Sequence, residues 1–179
     1  MEYKRCTITE FIFKNSSFVS IYGPSGSGKT LLGLQVLKEF ESSVFISTEG
    51  SAYKGRVRGS FKNAYFADAM SELELLNAIF KAISLEPKVV VVDTINKFFR
   101  MSRRPEYLLH PLILLKRFSR YGKVLLIWEV SMNNKVSGEK LMRYFSGDVL
   151  RVTKSYVIGN LRKCKFRITD EGVVGCLEC

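Results

Sequence analysis

The chain has 179 residues, of which 46% are hydrophobic and 25% charged, with a formal net charge of +11 and a pI near 9.6. This length fits a single domain over residues 1–179 whose core needs no disulfide scaffold or structural metal, and no apolar run approaches the ~20 residues that cross a bilayer, so a soluble chain with no membrane partner is expected. Met1 to Glu10 lack the apolar stretch and cleavage site of a secretory leader, so a cytoplasmic protein is expected, and its surplus of Lys and Arg admits either a polyanionic partner such as nucleic acid or plain solubility.

Phe18-Val19-Ser20-Ile21-Tyr22 is the first short β-branched and aromatic run, the pattern of a buried strand. It leads into Gly23-Pro24-Ser25-Gly26-Ser27-Gly28-Lys29-Thr30, a complete GxxxxGK[ST] motif, and a helical segment from Lys29 to Phe40 follows. Strand, glycine loop and helix in that order let main-chain N–H groups and a helix N-terminus cradle phosphates. Lys29 then reaches the β- and γ-phosphates and the Thr30 hydroxyl ligates Mg²⁺. A glycine turn without a ligand needs neither residue, so ATP with Mg²⁺ is expected here.

Val44 to Ser47 reads as the second strand and ends in Thr48-Glu49-Gly50. If it neighbours the P-loop strand, Glu49 can orient or deprotonate a water at the γ-phosphate; otherwise Glu49 is a surface acid beside a flexible glycine. Asn63 to Phe66 is a weaker strand. Ser71 and Glu74 form a capping-box pattern opening a helix to Ser84, in which Leu73, Leu76, Asn77 and Phe80 recur at helical spacing. Val89 to Val92 is continuously apolar, as in a parallel strand covered on both faces. It delivers Asp93 either to Mg²⁺, through water, or to the cap of the next turn.

Lys97, Arg100, Arg103 and Arg104 follow, then a helix from Glu106 to Tyr121 with Lys116, Arg117 and Arg120 on a solvated face. Val124 to Trp128 is a further strand, followed by Glu129 and the basic residues Lys135, Lys140 and Arg143. With Phe98, Phe99, Tyr144 and Phe145 nearby, the two basic stretches read as flexible loops that track a phosphate backbone, or else the aromatics belong to the core.

In the last third, Val149 to Val152 and Tyr156 to Ile158 are strands, and Gly159-Asn160 turns the chain into Leu161 to Ile168. Cys164, Phe166 and Ile168 there alternate with Lys163, Lys165 and Arg167, giving an inward face and a cationic one, as on a guarded edge strand or a phosphate-binding face. Cys6, Cys164, Cys176 and Cys179 are too scattered for a secreted scaffold and fit a reducing compartment. The Cys176/Cys179 C-x-x-C lacks a second C-x-x-C, and His110 is the one histidine, so it reads as a frayed tail or structural pair rather than half of a zinc site. The β-α alternation predicts an α/β fold with a largely parallel central sheet flanked by helices and a C-terminal hairpin.

In these blocks and their order the sequence resembles the RecA/RadA recombinase family, as a minimal archaeal-type RadA paralogue reduced to the ATPase core. The blocks are the P-loop, Ser47-Thr48-Glu49-Gly50, Asn63 to Ala67 with Glu74-Leu75-Leu76-Asn77, Val91-Val92-Asp93-Thr94 through Phe99-Arg100, Val124 to Val130, and Leu161 to Gly172. The resemblance implies a RecA-like P-loop NTPase core with Lys29 and Thr30 on phosphate and magnesium, Asp93 as the Walker B acid and Glu49 as catalytic base. Trp128-Glu129 replaces the family's Asn-Gln, whose Gln senses the γ-phosphate. A carboxylate beside a polyphosphate is repelled unless neutralised, so hydrolysis is expected to be weak. The resemblance also implies single-stranded DNA held by Arg100, Arg103, Arg104, Lys135, Lys140 and Arg143. With that come a RadA-type recombinase or another paralogue as partner, a nucleoid-associated location, and a role in recombination or DNA repair.

Only Met1 to Ser17 precede the P-loop strand, so autonomous filaments are not expected, and Phe61-Lys62-Asn63-Ala64 matches the family's FxxA pattern by chance. Two other readings remain. One is a P-loop kinase acting on a small molecule, with Arg100 to Arg104 as its lid. The other is an ATP-stabilised interaction module without turnover.

Overall fold

The structure, a computed structural model, describes residues 6–176. Its strands are β1 (Phe18–Gly23), β2 (Ser43–Ser47), β3 (Ala64–Asp68), β4 (Val89–Asp93), β5 (Lys123–Glu129), β6 (Asp148–Val152), β7 (Tyr156–Gly159), β8 (Arg162–Thr169) and β9 (Gly172–Gly175). The helices are α1 (Ile8–Ile12), α2 (Lys29–Lys38), α3 (Glu72–Ser84), α4 (Lys97–Ser102), α5 (Glu106–Phe118) and α6 (Glu139–Phe145), with a 3-10 segment over Gly50–Arg56. One nine-stranded sheet runs in the order β3-β2-β4-β5-β1-β6-β7-β8-β9. The pairings from β3 to β6 are all parallel, and β7, β8 and β9 add antiparallel hairpins. This is the expected α/β class. Among the described residues no helix is long and apolar enough to cross a membrane.

Both faces of the parallel strands are covered, which is why β4 is apolar at every valine rather than at alternate ones. Val89 and Val91 join α1, α2 and the inner face of β8 in one core, while Val90 and Val92 join α3, α5 and Trp128 in the other. The adjacency of β2 and β1, on which the catalytic reading of Glu49 was made conditional, is not found. β2 pairs with β3 and β4, so β4 and β5 lie between it and the P-loop strand.

Four helices differ from the sequence reading. Helix α1 was missed, although Thr7-x-x-Glu10 carries the signature of a reciprocal cap: Thr7 Oγ1 accepts the Glu10 N–H at 3.1 Å and Glu10 accepts the Thr7 N–H at 3.0 Å. In α3, Ser71 caps as expected, but Glu74 reaches the Met70 N–H rather than that of Ser71. Its buried stripe is Leu75, Ile79 and Ala82, whereas Leu73 and Phe80 are 65% and 57% exposed. The helix carries two apolar stripes, and spacing alone does not choose between them. Finally, both basic stretches contain short helices, α4 and α6, instead of being loops throughout.

Strand β8 is not an edge, because β7 and β9 pair with it on either side. Cys164 and Phe166 are buried as the alternation requires, but Ile168 is half-exposed. The Arg162 guanidinium forms an ion pair with Asp148, donates to the Phe11 carbonyl, and lies 4.3 Å from the Phe11 ring centroid, which fastens α1 to the hairpin. Cys164 is joined to Cys176 by a disulfide across β8 and β9, with Cα atoms 4.8 Å apart. That corrects the expectation of unpaired or Cys176/Cys179-paired cysteines: the β8–β9 turn brings together positions that look scattered along the chain. Cys179 lies outside the described residues.

Candidate functional site

Strand β1 ends at Gly23, and the turn over Pro24–Ser27 passes into α2 through Gly28, whose φ is +97°. Gly26 is also left-handed at +77°, with open space where a side chain would project. Both conformations come at little cost to glycine alone. At Gly23 a Cβ would lie 2.1 Å from the Val152 carbonyl oxygen, so the loop is seated directly against β6. Lys29 Nζ donates to the Gly23 and Pro24 carbonyls at 2.7 and 2.9 Å. Burial lowers its pKa, and the carboxylates of Asp93 and Glu129 work against that shift.

Strand β4 brings Asp93 beside the start of α2, where Thr30 Oγ1 donates to Asp93 Oδ2 at 2.6 Å. Asp93 is 7% exposed. Its pKa is raised, first by burial and further by Glu49, against hydrogen bonds from Thr30 and Thr94 and the weaker attraction of Lys29. Thr48 ties the tips of β2 and β4 together, donating to the Thr94 carbonyl at 2.7 Å and accepting its N–H at 2.9 Å. Glu49 therefore opens on the same cleft of about 280 Å³ as Lys29, Thr30, Asp93 and Glu129, even though β2 is not beside β1.

This donor set fits a nucleotide with its magnesium. A hydroxyl and a buried carboxylate, both hard oxygen donors, meet at one end of the phosphate loop, as Mg²⁺ requires. The buried Ser27 hydroxyl has no hydrogen-bond partner inside that loop, and the space in front of Gly26 is open. Ser25 and Gly28 line the cleft as well.

Two cations of α4 hold the two exposed acids of the cleft. Lys97 lies 3.3 Å from Glu49 and donates to the Thr48 carbonyl at 2.8 Å, and Arg100 forms an ion pair with Glu129. The charge of Glu129 is thus offset within the chain. Trp128 faces the other way, fully buried, and its Nε1–H donates to Ser20 at 2.8 Å.

Of the basic residues, Arg100 is engaged at the cleft, whereas Arg103 and Arg104 follow α4 in exposed positions. Arg103 borders a second cavity of about 350 Å³ shared with Glu129 and Ser137. The two basic segments are adjacent because the buried Asn96 side chain donates to the Glu129 and Ser137 carbonyls at 3.0 and 3.2 Å. Arg104 pairs with Glu106 and Arg143 with Glu139, while Lys135 and Lys140 are exposed. Phe98 is buried and Tyr144 is 82% exposed.

The sequence reading missed Arg56, which lines the cleft from the 3-10 segment, and Asn96. Lys54-Gly55-Arg56-Val57-Arg58, directly after the Thr-Glu-Gly strand end, was the available signal for the first. For the second the sequence offers no such local signal, since Asn96 lies three residues past the end of β4 and its partners are 33 and 41 residues away.

A solved structure with a similar fold is that of a KaiC-like protein from the hyperthermophilic archaeon Pyrococcus horikoshii, which superposes with a TM-score of 0.69 over 96% of each chain at 16% identity. The fold is of the KaiC-like, RecA type. A family model described as an AAA domain matches residues 17–105, the part of this RecA-type core from the start of β1 to the end of α4. No curated protein matches the sequence.

Proposed function

We propose that the chain binds ATP with Mg²⁺ and, as a RecA-type accessory protein resembling RadA paralogues, couples that binding to DNA, single-stranded in the first instance, during recombination or repair. The observation that carries the nucleotide reading is the 2.6 Å contact of Thr30 with Asp93 at the mouth of a complete phosphate loop. Lys29 and the loop amides of Ser25 to Gly28 bind the phosphates, and Thr30 and Asp93 hold the metal ion. When bound, Mg²⁺ neutralises charge on the phosphate oxygens. Glu49, fixed by Lys97, accepts the proton of the attacking water. Arg100 offsets the charge of Glu129, so that carboxylate does not bar ATP from the site. Turnover is slow.

The DNA reading is supported by the +11 net charge and by the side-by-side placement of the two basic segments next to the cleft. The pairs of Arg104 and Arg143 are exposed and screened by solvent, so those side chains remain available to phosphates. A RadA-type recombinase or another paralogue is the proposed protein partner.

Titration with a fluorescent ATP analogue and Mg²⁺ gives saturable binding that Lys29→Ala abolishes; a flat wild-type titration sinks the nucleotide reading. Retention on single-stranded DNA falls steeply with salt, and Arg103→Glu with Arg104→Glu lowers both the affinity and, by about 2, the log–log salt slope. DNA binding that is unchanged in that double variant removes the basic rim from the proposal.

A further inference from the structure

Beyond β1 the sheet loses its cover on one face. The inward residues of this extension, among them Leu150 of β6, Val157 of β7, Phe166 of β8 and Val173 of β9, join the core beneath α1 and α2. On the opposite face α6 packs against β6, but the helices that meet β8 and β9 are α1 and α2, from the inward side. The alternate residues therefore look out to solvent: Arg151, Lys163, Lys165 and Arg167 are exposed, and Tyr156 is half-buried among them.

Strand pairing sets these side chains in one array. Arg151 lies opposite Ile158, Ile158 opposite Lys163, and Tyr156 opposite Lys165. Residues rise about 3.4 Å each along a strand and neighbouring strands lie about 4.8 Å apart, so the four cations surround one aromatic ring on a patch roughly 14 Å by 10 Å. Lys163 Nζ lies 3.8 Å from the centroid of the Tyr156 ring, so a face of that ring is open to a group arriving from solvent. Among the described residues none of the four cations has an acidic partner, and no acid takes an outward position on β6 to β9. Asp148 turns inward to Arg162, and Asp170, in the β8–β9 turn, pairs with Arg58.

Two ordinary explanations of the charge do not hold. Cations guard exposed edge strands against pairing with another chain, but β8 is interior, and the edge strand β9 reads Gly172-Val173-Val174-Gly175 without a charge. Solubility is served by charges of both signs interspersed, whereas here like charges repeat at every second residue of β8 with nothing to relieve their repulsion.

We propose that the open face of β6 to β9 binds single-stranded nucleic acid, with Arg151, Lys163, Lys165 and Arg167 on the phosphates and Tyr156 stacking on a base. A sheet face presents no helix or ribbon to the groove of a duplex, whereas the unstacked bases of a single strand reach a ring set in a sheet and leave the backbone to the cations around it. Lys163 moves from the ring to a phosphate as the base arrives. This surface is separate from the basic rim of α4 and α6, and it depends neither on that rim nor on bound nucleotide.

The test is fluorescence anisotropy of a labelled oligothymidylate across a salt series, in the full chain carrying Arg103→Glu and Arg104→Glu, so that the rim is already disabled. That parent still binds. Adding Lys163→Gln, Lys165→Gln and Arg167→Gln lowers affinity by about 100-fold near 0.1 M salt and the log–log salt slope by about 2. Tyr156→Leu lowers affinity by about tenfold and leaves the slope unchanged. Lys81→Gln, Lys88→Gln and Arg120→Gln together remove the same charge from exposed positions elsewhere and change affinity by less than about twofold. Every replaced cation is exposed, and circular dichroism melts confirm that each variant folds. Equal losses from the two triple changes overturn the proposal, as does a folded β8 triple variant or a Tyr156→Leu variant that binds as tightly as its parent. Duplex DNA bound as tightly as the single strand overturns the assignment of the partner.

Discussion

Asp93→Asn separates what the site costs the fold from what it does. The carboxylate is 7% exposed, and burial outweighs every other influence in raising its pKa. A carboxyl group that holds its proton more tightly folded than unfolded makes the native state bind more protons in the window between the two pKa values. Stability therefore falls as pH rises through that window, and above it the charged form carries a standing desolvation cost. The amide is nearly isosteric and uncharged, and it still offers groups to the Thr30 and Thr94 hydroxyls. Relieving the buried charge is worth about 1–3 kcal/mol, or roughly 2–10 °C in Tm for a chain of this size. The gain is greatest near neutral pH and shrinks on acidification, where the wild type loses the same charge by protonation. Mg·ATP reverses the order: at 100-fold excess over Kd it stabilises the wild type by about 2.7 kcal/mol and leaves the variant unchanged. Thermal melts from about pH 5 to 8, with and without Mg·ATP, measure both effects. A nucleotide-free variant that melts below the wild type throughout, or one that Mg·ATP stabilises as much as the wild type, refutes the reasoning.

Glu49→Gln leaves nucleotide affinity within about threefold and lowers ATP turnover by about 100-fold or more, read in a phosphate-release assay; unchanged turnover takes Glu49 out of the mechanism. Gly23→Ala places a methyl group 2.1 Å from the Val152 carbonyl and is expected to cost at least about 2 kcal/mol in urea unfolding. Gly26→Ala meets open space and costs only about 1 kcal/mol, from its left-handed φ. Asp148→Ala removes the carboxylate partner of the part-buried Arg162 guanidinium, which keeps its bonds to main-chain carbonyls, and is expected to lose about 1–3 kcal/mol by the same measurement.

The parallel strands and the phosphate loop were legible because their signals are local. Val89 to Val92 announces a strand buried on both sides, and the loop motif needs only its own eight residues and the elements on either side of them. Strand order was not legible. Glu49 borders the phosphate-loop cleft although β2 is not beside β1, because the tie between the tips of β2 and β4 through Thr48 joins residues 46 apart in sequence. The partners of Glu49 and Glu129 were missed for a similar reason. Lys97 and Arg100 read as a basic loop, and only the folding of α4 turns them towards the two acids. The cysteines show the same limit, since spacing along a chain says nothing about two strands that return to one corner.

Because the sheet continues beyond β1 through β6 to β9, the strand that carries the phosphate loop has neighbours on both sides, and its last residue is wedged against one of them. It works as a fixed anvil. The segments that leave the sheet beyond β2, β4 and β5 are the 3-10 segment, α4 and the turn over residues 130–138. All three carry basic side chains, Arg56 on the first, Lys97 and Arg100 on the second and Lys135 on the third, and Arg103 and Arg104 follow directly at the far end of α4.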